Sequence, residues 1–359
     1  MGKAKRSLLF FAAFVLSIGL AFQALPAYAM ESYGGHVPPG VEDFMSGALP
    51  PAGTNIYLNY LGYVSSSQMN GNGGGKAWAA VAGKSASLNT SVDVLINVFR
   101  FCRVTKIKAL GGDVIWHVIV PVSYAHVSNQ VNLPAFIGGG TVYGGGFPTT
   151  TTSVGDIEFG SGIAWHFGPT LHMAGGVDFV APTGSYQAWN GFNPTIGGSS
   201  GASSRNFTAA AAYAGHNYWS IDPLLCVTYL GDKNSALPGF EVSAKMMYWF
   251  NTVNTATSYV SGQEVAADYL VGYHPNKQWA FGANGNIIYQ TTRDKQYGQT
   301  AYDPLTGLQT GLPQREWSIG PAVTYEIPHG CLTFKWQHDI MAANMPQQDR
   351  FWLRWIYAW

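Results

Sequence analysis

Large apolar residues recur at every second position in a series of short stretches along this chain, with polar or charged residues between them. From Gly239 to Asn251, Val242, Ala244, Met246, Tyr248 and Phe250 share one face and Glu241, Ser243 and Lys245 the other. From Trp279 to Gln290, Trp279, Phe281, Ile287 and Tyr289 oppose Asn284, Asn286 and Gln290. The stretches Glu316–Ile327 and Cys331–Ile340 repeat the pattern. A period of two is that of a β-strand, whose side chains point alternately to its two faces. The last residues carry the clearest case, where Phe351, Leu353, Trp355, Tyr357 and Trp359 alternate to the end. A soluble protein would leave such an edge open to aggregation. The stretch resembles the terminal strand of outer-membrane barrels, which ends in an aromatic and is read by the barrel-assembly machinery.

Extended along the whole chain, the alternation predicts an all-β fold, a transmembrane antiparallel barrel of about twelve strands. They lie near Asn55–Val64, Val92–Val104, Val114–Val127, Asp156–His166, Leu171–Val180 and Tyr218–Tyr229. The second half comprises Gly239–Asn251, Glu264–Tyr273, Trp279–Gln290, Glu316–Ile327, Cys331–Ile340 and Phe351–Trp359. The connections alternate in length. Ser65–Ser91, Ser128–Gly155, Ala181–Asn217, Thr252–Gln263, Thr291–Arg315 and Met341–Arg350 are the longer set. Thr105–Asp113, Phe167–Thr170, Gly231–Pro238, His274–Gln278 and Pro328–Gly330 are the shorter. Long extracellular loops and short periplasmic turns are the asymmetry of outer-membrane barrels, and an even strand count leaves both ends periplasmic. Gly138–Thr152 and Gly197–Ala212 are nearly low-complexity and are expected to be mobile.

Composition supports a lipid-facing protein. Only 11% of residues are charged while 14% are aromatic; about a quarter charged is usual. Past the first thirty residues no apolar run reaches the ~20 residues of a membrane helix. Helices and closed barrels are the structures that satisfy every backbone group in a bilayer, so a barrel remains. At the start, Lys3, Lys5 and Arg6 precede an apolar stretch from Leu8 to Phe22, and Ala27 and Ala29 form an A-x-A site. That is a signal peptide cleaved before Met30. The expected organisation is a leader over 1–29, a periplasmic N-terminal segment over 30–54 and a barrel over 55–359. The middle segment, with Pro38-Pro39 and Pro50-Pro51, is either a small plug within the barrel or a periplasmic tail. The leader holds three of the 19 basic residues and none of the 19 acidic ones, so the rest carries a net charge of −3. That balance argues against a nucleic-acid partner. Cys102, Cys226 and Cys331 are an odd count without metal spacing and read as small strand residues.

Placing the polar face inward gathers a defined set of lumen charges. The acids are Asp93, Asp113, Asp156, Glu158, Asp178, Asp222, Glu241, Glu264, Asp268, Glu316 and Asp339; the bases are Arg103, Lys245, Lys335 and Arg354. His117 and His172 share their parity, and His338 falls on the outward face. An Arg or Lys facing lipid at mid-bilayer costs about 2–4 kcal/mol, which favours the inward placement. Adjacent strands would bring Glu241 or Lys245 near Glu264 and Asp268. These charges are either a salt-bridged lattice that stiffens the lumen or a polar path for a permeant.

The segments between the loops resemble the outer-membrane family named for the meta-pathway of phenol degradation. The matching stretches are Phe44-Met45-Ser46-Gly47-Ala48-Leu49-Pro50-Pro51, Asn59-Tyr60, Ala181-Pro182-Thr183-Gly184-Ser185-Tyr186 and Asn217-Tyr218-Trp219. Glu241-Val242-Ser243-Ala244-Lys245, Phe250-Asn251, Tyr259-Val260-Ser261-Gly262-Gln263-Glu264, Asp268-Tyr269, Gln290-Thr291-Thr292 and the final strand complete them. The glycine-rich loops depart from the family pattern. The resemblance implies an outer-membrane, transporter-like protein linked to aromatic-compound catabolism.

Three functions follow. The first is a narrow channel for passive uptake of small aromatic or hydrophobic compounds, since a barrel of this strand number has a narrow lumen. The second is a structural barrel with a filled lumen. The third is a membrane-embedded hydrolase, because His126-Val127-Ser128-Asn129 resembles the spacing of the outer-membrane phospholipase pair. No third partner to orient that pair is evident in the sequence, so a non-enzymatic role is expected. No cofactor or metal is implied by the histidine spacing. The expected partners are outer-membrane lipid, the assembly machinery during biogenesis and a small-molecule permeant.

Overall fold

The computed structural model describes residues 38, 40–76, 78–81, 84–132, 141–186, 213–301 and 311–359. The expected leader, Gly138–Gly140 and Gly197–Ala212 lie outside the described residues. Among the described residues no helix is long and apolar enough to cross a membrane.

Twelve strands form the wall: β1 (Asn55–Met69), β2 (Lys84–Ala109), β3 (Gly112–Asn132), β4 (Ile157–Phe167), β5 (Leu171–Ala181) and β6 (Ser220–Leu230). They continue as β7 (Phe240–Asn251), β8 (Glu264–Tyr273), β9 (Trp279–Gln290), β10 (Arg315–Ile327), β11 (Gly330–Ala343) and β12 (Pro346–Ala358). Each pairs antiparallel with its sequence neighbours, and β1 also pairs with β12, so the ring closes. Closure leaves no strand edge in the hydrocarbon. Asn59 stands opposite Trp355 and Tyr63 opposite Phe351 at the seam. The final strand is thereby fixed by the first, and its alternating aromatics face outward.

The connections at the end where β1 begins and β12 ends are short. Between β2 and β3 only Leu110 and Gly111 intervene, both at positive φ (46° and 82°). That is the requirement of a two-residue hairpin turn whose twist matches its strands. At the other end the loops are long, with one exception: β11 and β12 are joined by Asn344 and Met345 alone. The long loop expected over Met341–Arg350 is replaced by strand at both its ends. β2 and β3 also run on past the ring. Thr141–Val154 forms a further strand against β3, from Val122–Val154 to Asn132–Thr141, where a loop was expected. The β-branched run Thr149–Thr152 suits that pairing. Pieces of two other loops form a small sheet from Val253–Asn254, Tyr259–Val260, Lys295–Gln296 and Gln299–Thr300.

The outer face is apolar and ends in aromatic belts. At the short-turn end, Phe240 meets Tyr273 at 5.1 Å and Trp279 meets Tyr325 at 4.7 Å. Phe101, Trp116 and Trp359 continue this belt. Towards the long loops, Phe159 stacks on Phe179 and Trp336 on Phe351. Two such girdles bound the hydrocarbon band of an outer-membrane barrel and place the short turns in the periplasm. His338 is outward, as its parity predicts, and pairs with Asp349 (3.0 Å) beside Trp336.

Candidate functional site in the barrel lumen

The inner wall is not uniformly polar. On β1, β2 and β3 the inward positions are Ile56, Leu58, Tyr60, Ile96, Val98, Cys102, Val104, Ile115 and Ile119, and they cluster with Trp352 of β12. Gly62 stands opposite Trp352, and a Cβ there would come within 2.3 Å of its ring. The missing side chain leaves space for the indole over the inner wall.

This apolar sector corrects two expected lumen residues. Asp93 and Arg103 occupy the odd positions of β2, the face that shows Leu95 and Phe99 to lipid. Asp93 accepts from the Tyr63 hydroxyl at 2.7 Å, near the extracellular end. Arg103 donates to the Asn55 side chain, near the periplasmic end. Both sit at the ends of the crossing, where water and headgroups solvate a charge, so neither pays the mid-bilayer penalty. The inward base of β2 is Arg100, which sequence parity missed. A signal existed: Arg100 lies in mid-strand between Val98 and Cys102, where a charge cannot face lipid.

Residues 40–51 run inside the ring. Among the described residues, a turn at Ala48 N to Met45 O (2.9 Å) and a bond from Phe44 N to Asp43 (2.7 Å) are internal to this stretch, so wall side chains meet many of its other backbone groups. Asp268 of β8 accepts from Gly40 N (2.7 Å) and Glu42 N (2.9 Å). Glu241 of β7 accepts from Met45 N (2.6 Å), and Thr228 of β6 from Gly47 N (2.9 Å). Lys335 of β11 donates to the carbonyls of Gly40 (2.6 Å) and Val41 (2.8 Å) and to Asp43 (2.8 Å). Arg354 of β12 lies 3.5 Å from the other oxygen of Asp43. Arg100 donates to Glu42 at 2.7 Å, and the Tyr60 hydroxyl bonds the same carboxylate. Burial alone would raise the Glu42 carboxyl, but Arg100, Lys245 and Tyr60 outweigh it and hold the group well below the usual carboxylate range. Phe44 packs with Leu270, Ala280 and Ala322. Glu42 and Asp43 thus join the lumen charges. Their position before the first strand hid them from an alternation-based reading.

The remaining expected lumen residues fall into clusters. Glu316 and Asp339 both bond Arg350 of β12, the former at 2.7 Å, and Asn286 and Gln348 complete the shell. Arg350 was missed because the final strand begins at Pro346, so this residue belongs to the wall and not to a loop. Asp178 bonds His117 at 2.8 Å, with Glu158 close by. Lys245 stands opposite Asp268, the neighbour expected of it. Asp222 accepts from Tyr248 N (3.0 Å), and Glu264 is buried on the inner face of β8. Asp156 accepts from Gly184 N and His216 N (2.8 Å each), anchoring an extracellular loop. Asp113 pairs with Lys108 at the β2–β3 turn, and His172 contacts His166 at the periplasmic mouth (2.8 Å). His126 bonds Thr150 at 2.9 Å, and Ser128 stands opposite Ser91 of β2 in unbroken register. Cys102, Cys226 and Cys331 are free thiols.

Above the inner segment lies a cavity. Val41, Tyr60, Val98, Ile119, Met247 and Trp249 form its apolar side. Glu42, Arg100, Glu158, Lys245 and Asp268 face it with charge.

Among solved structures, an outer-membrane channel from Pseudomonas putida F1 is similar at a TM-score of 0.59 and 14% identity, covering 90% of this chain and 100% of that one. This likeness shows a shared fold. The NanC porin (TM-score 0.36, 10% identity, 84% and 98% covered) and a Pseudomonas aeruginosa FadL homologue (TM-score 0.37, 10% identity, 93% and 98% covered) overlap too loosely to carry an argument. No curated protein matches in sequence. The family model described as "Putative MetA-pathway of phenol degradation" matches residues 70–214 and 200–355. With most of its length matched and its strands closed into an outer-membrane barrel, the chain belongs to that family.

Proposed function

We propose that the protein is a narrow outer-membrane channel for passive uptake of small aromatic or hydrophobic compounds. The cavity carries this reading. It sits on the barrel axis side of the wall, with Tyr60, Met247 and Trp249 offering apolar contact and Lys245 and Arg100 offering charge-assisted hydrogen bonds. A phenol or an aromatic acid combines the two needs, an apolar ring and one polar group. The family description points to the same class of compound. Lipid surrounds the outer belts, and the aromatic strand from Phe351 to Trp359 is the segment the assembly machinery would engage. This reading takes the protein as a channel and not an enzyme.

Liposomes containing the purified barrel should take up phenol-like solutes faster than protein-free liposomes, and faster than they take up disaccharides. Trp249→Ala should reduce that preference. Equal uptake with and without protein would sink the reading. The second reading, a structural barrel with a filled lumen, draws on the fully buried charges Lys335, Arg350, Glu316 and Asp339. Single-channel recording separates the two, because a filled barrel passes no current.

A further inference from the structure

Three polar side chains meet at one point on the inner wall. His117 on β3, Glu158 on β4 and Asp178 on β5 each offer one donor atom, and these atoms lie within 4.8 Å of one another. The register explains the meeting. His117 stands opposite Gly160, and Gly160 opposite Asp178. A Cβ on Gly160 would lie 1.8 Å from Asp178 Oδ1. His117 therefore reaches over the glycine, its Nε2 2.8 Å from that oxygen. Glu158, two residues from Gly160, points from the same face of β4. His117, Glu158 and Asp178 are 5%, 4% and 2% exposed. Each keeps a buried atom without a hydrogen-bond partner: His117 Nδ1, Glu158 Oε2 and Asp178 Oδ2.

Two carboxylates close together inside a wall repel each other unless a shared proton or a cation lies between them, and a cation of sufficient affinity displaces the proton. Among the described residues no Lys or Arg forms an ion pair with Glu158 or Asp178. Arg100, on the same cavity, is engaged by Glu42. Lys245 lines the cavity beside Glu158. We propose that His117, Glu158 and Asp178 form a binding site for a divalent transition-metal cation of the Zn2+ class. One imidazole and two carboxylates are a donor set such an ion accepts. Ligands about 2.1 Å from a tetrahedral ion stand roughly 3.4 Å apart, within the span already present. The ion takes the place of the direct His117–Asp178 contact and leaves one position open to the cavity, on the side lined by Glu158. Ligands from three strands explain why linear spacing did not reveal the site.

The test uses the full mature barrel, purified in detergent without an affinity tag, stripped with chelator and titrated with ZnCl2 by calorimetry. Elemental analysis should count one zinc per barrel. His117→Ala and Asp178→Asn should each weaken binding at least tenfold, and Glu158→Gln should weaken it while keeping the side chain's shape. Folding of each variant is checked by its heat-modifiable gel shift; if His117→Ala fails to fold, Glu158→Gln and Asp178→Asn decide. The His166–His172 pair at the periplasmic mouth is the rival site, so His172→Ala should leave the stoichiometry unchanged. Substoichiometric zinc on the wild type, unaltered affinity in the lumen variants, or loss of binding in His172→Ala would each overturn the proposal.

Discussion

Replacing Arg350 with methionine is expected to cost the folded barrel about 3–5 kcal/mol, the penalty for removing one partner of a buried ion network. Arg350 is fully buried and holds two acids, Glu316 at 2.7 Å and Asp339, while Gln348 and Asn286 accept its other hydrogens. Without the guanidinium, Glu316 keeps Asn286 (2.5 Å) and Asp339 keeps the Gln348 N–H (2.7 Å), but two carboxylates face each other with no counter-charge. The loss joins β10, β11 and β12, so it falls on the segment that closes the ring against β1. Denaturant titration in detergent, followed by tryptophan fluorescence, should show the lowered midpoint. The triple change Arg350→Met, Glu316→Gln and Asp339→Asn should recover most of it, because neutral amides need no cation. A triple variant no more stable than the single one would show that packing of the arginine, not its charge, held the strands.

The barrel itself was legible because lipid punishes every error of alternation. β8 and β9 begin and end at the residues the pattern marks, Glu264–Tyr273 and Trp279–Gln290. Strand ends were less legible where polar residues continue a strand beyond the membrane, as at Thr141–Val154 and at Pro346–Arg350. That is why Arg350 escaped notice. Inside the barrel, polarity alone is a poor guide to direction. On β2 both faces are apolar at the centre, so Asp93 and Arg103 at the ends set a false parity and Arg100 was overlooked. The N-terminal segment has no period at all. Its backbone is held by Asp268, Glu241, Lys335 and Arg354, whose inward direction was readable but whose partners were not. Contacts between residues some two hundred or more positions apart leave no mark on local sequence. The trio at Gly160 is hidden for the same reason, since strand pairing and not spacing assembles it.

Deleting residues 40–50 is expected to raise single-channel conductance severalfold and to admit solutes that the intact barrel excludes. The segment runs between β6–β8 on one side and β11, β12, β1 and β2 on the other, so it divides the lumen at the periplasmic half. Removing it frees Lys335, Arg354, Glu241 and Asp268 to water that enters in its place, and solvated charges carry little folding penalty. The ring of backbone bonds is untouched, so the deleted barrel should still show the gel shift of a folded one. Asp43→Ala is the gentler form of the same experiment. Asp43 is fully buried and touches both Lys335 (2.8 Å) and Arg354 (3.5 Å). Losing it leaves two cations facing each other across the segment and should loosen it, so protease should cut near residue 40 faster and current noise should rise. Conductance identical to that of the intact protein, in a deletion variant shown to be folded, would mean that the passage lies elsewhere and that the segment only braces the wall.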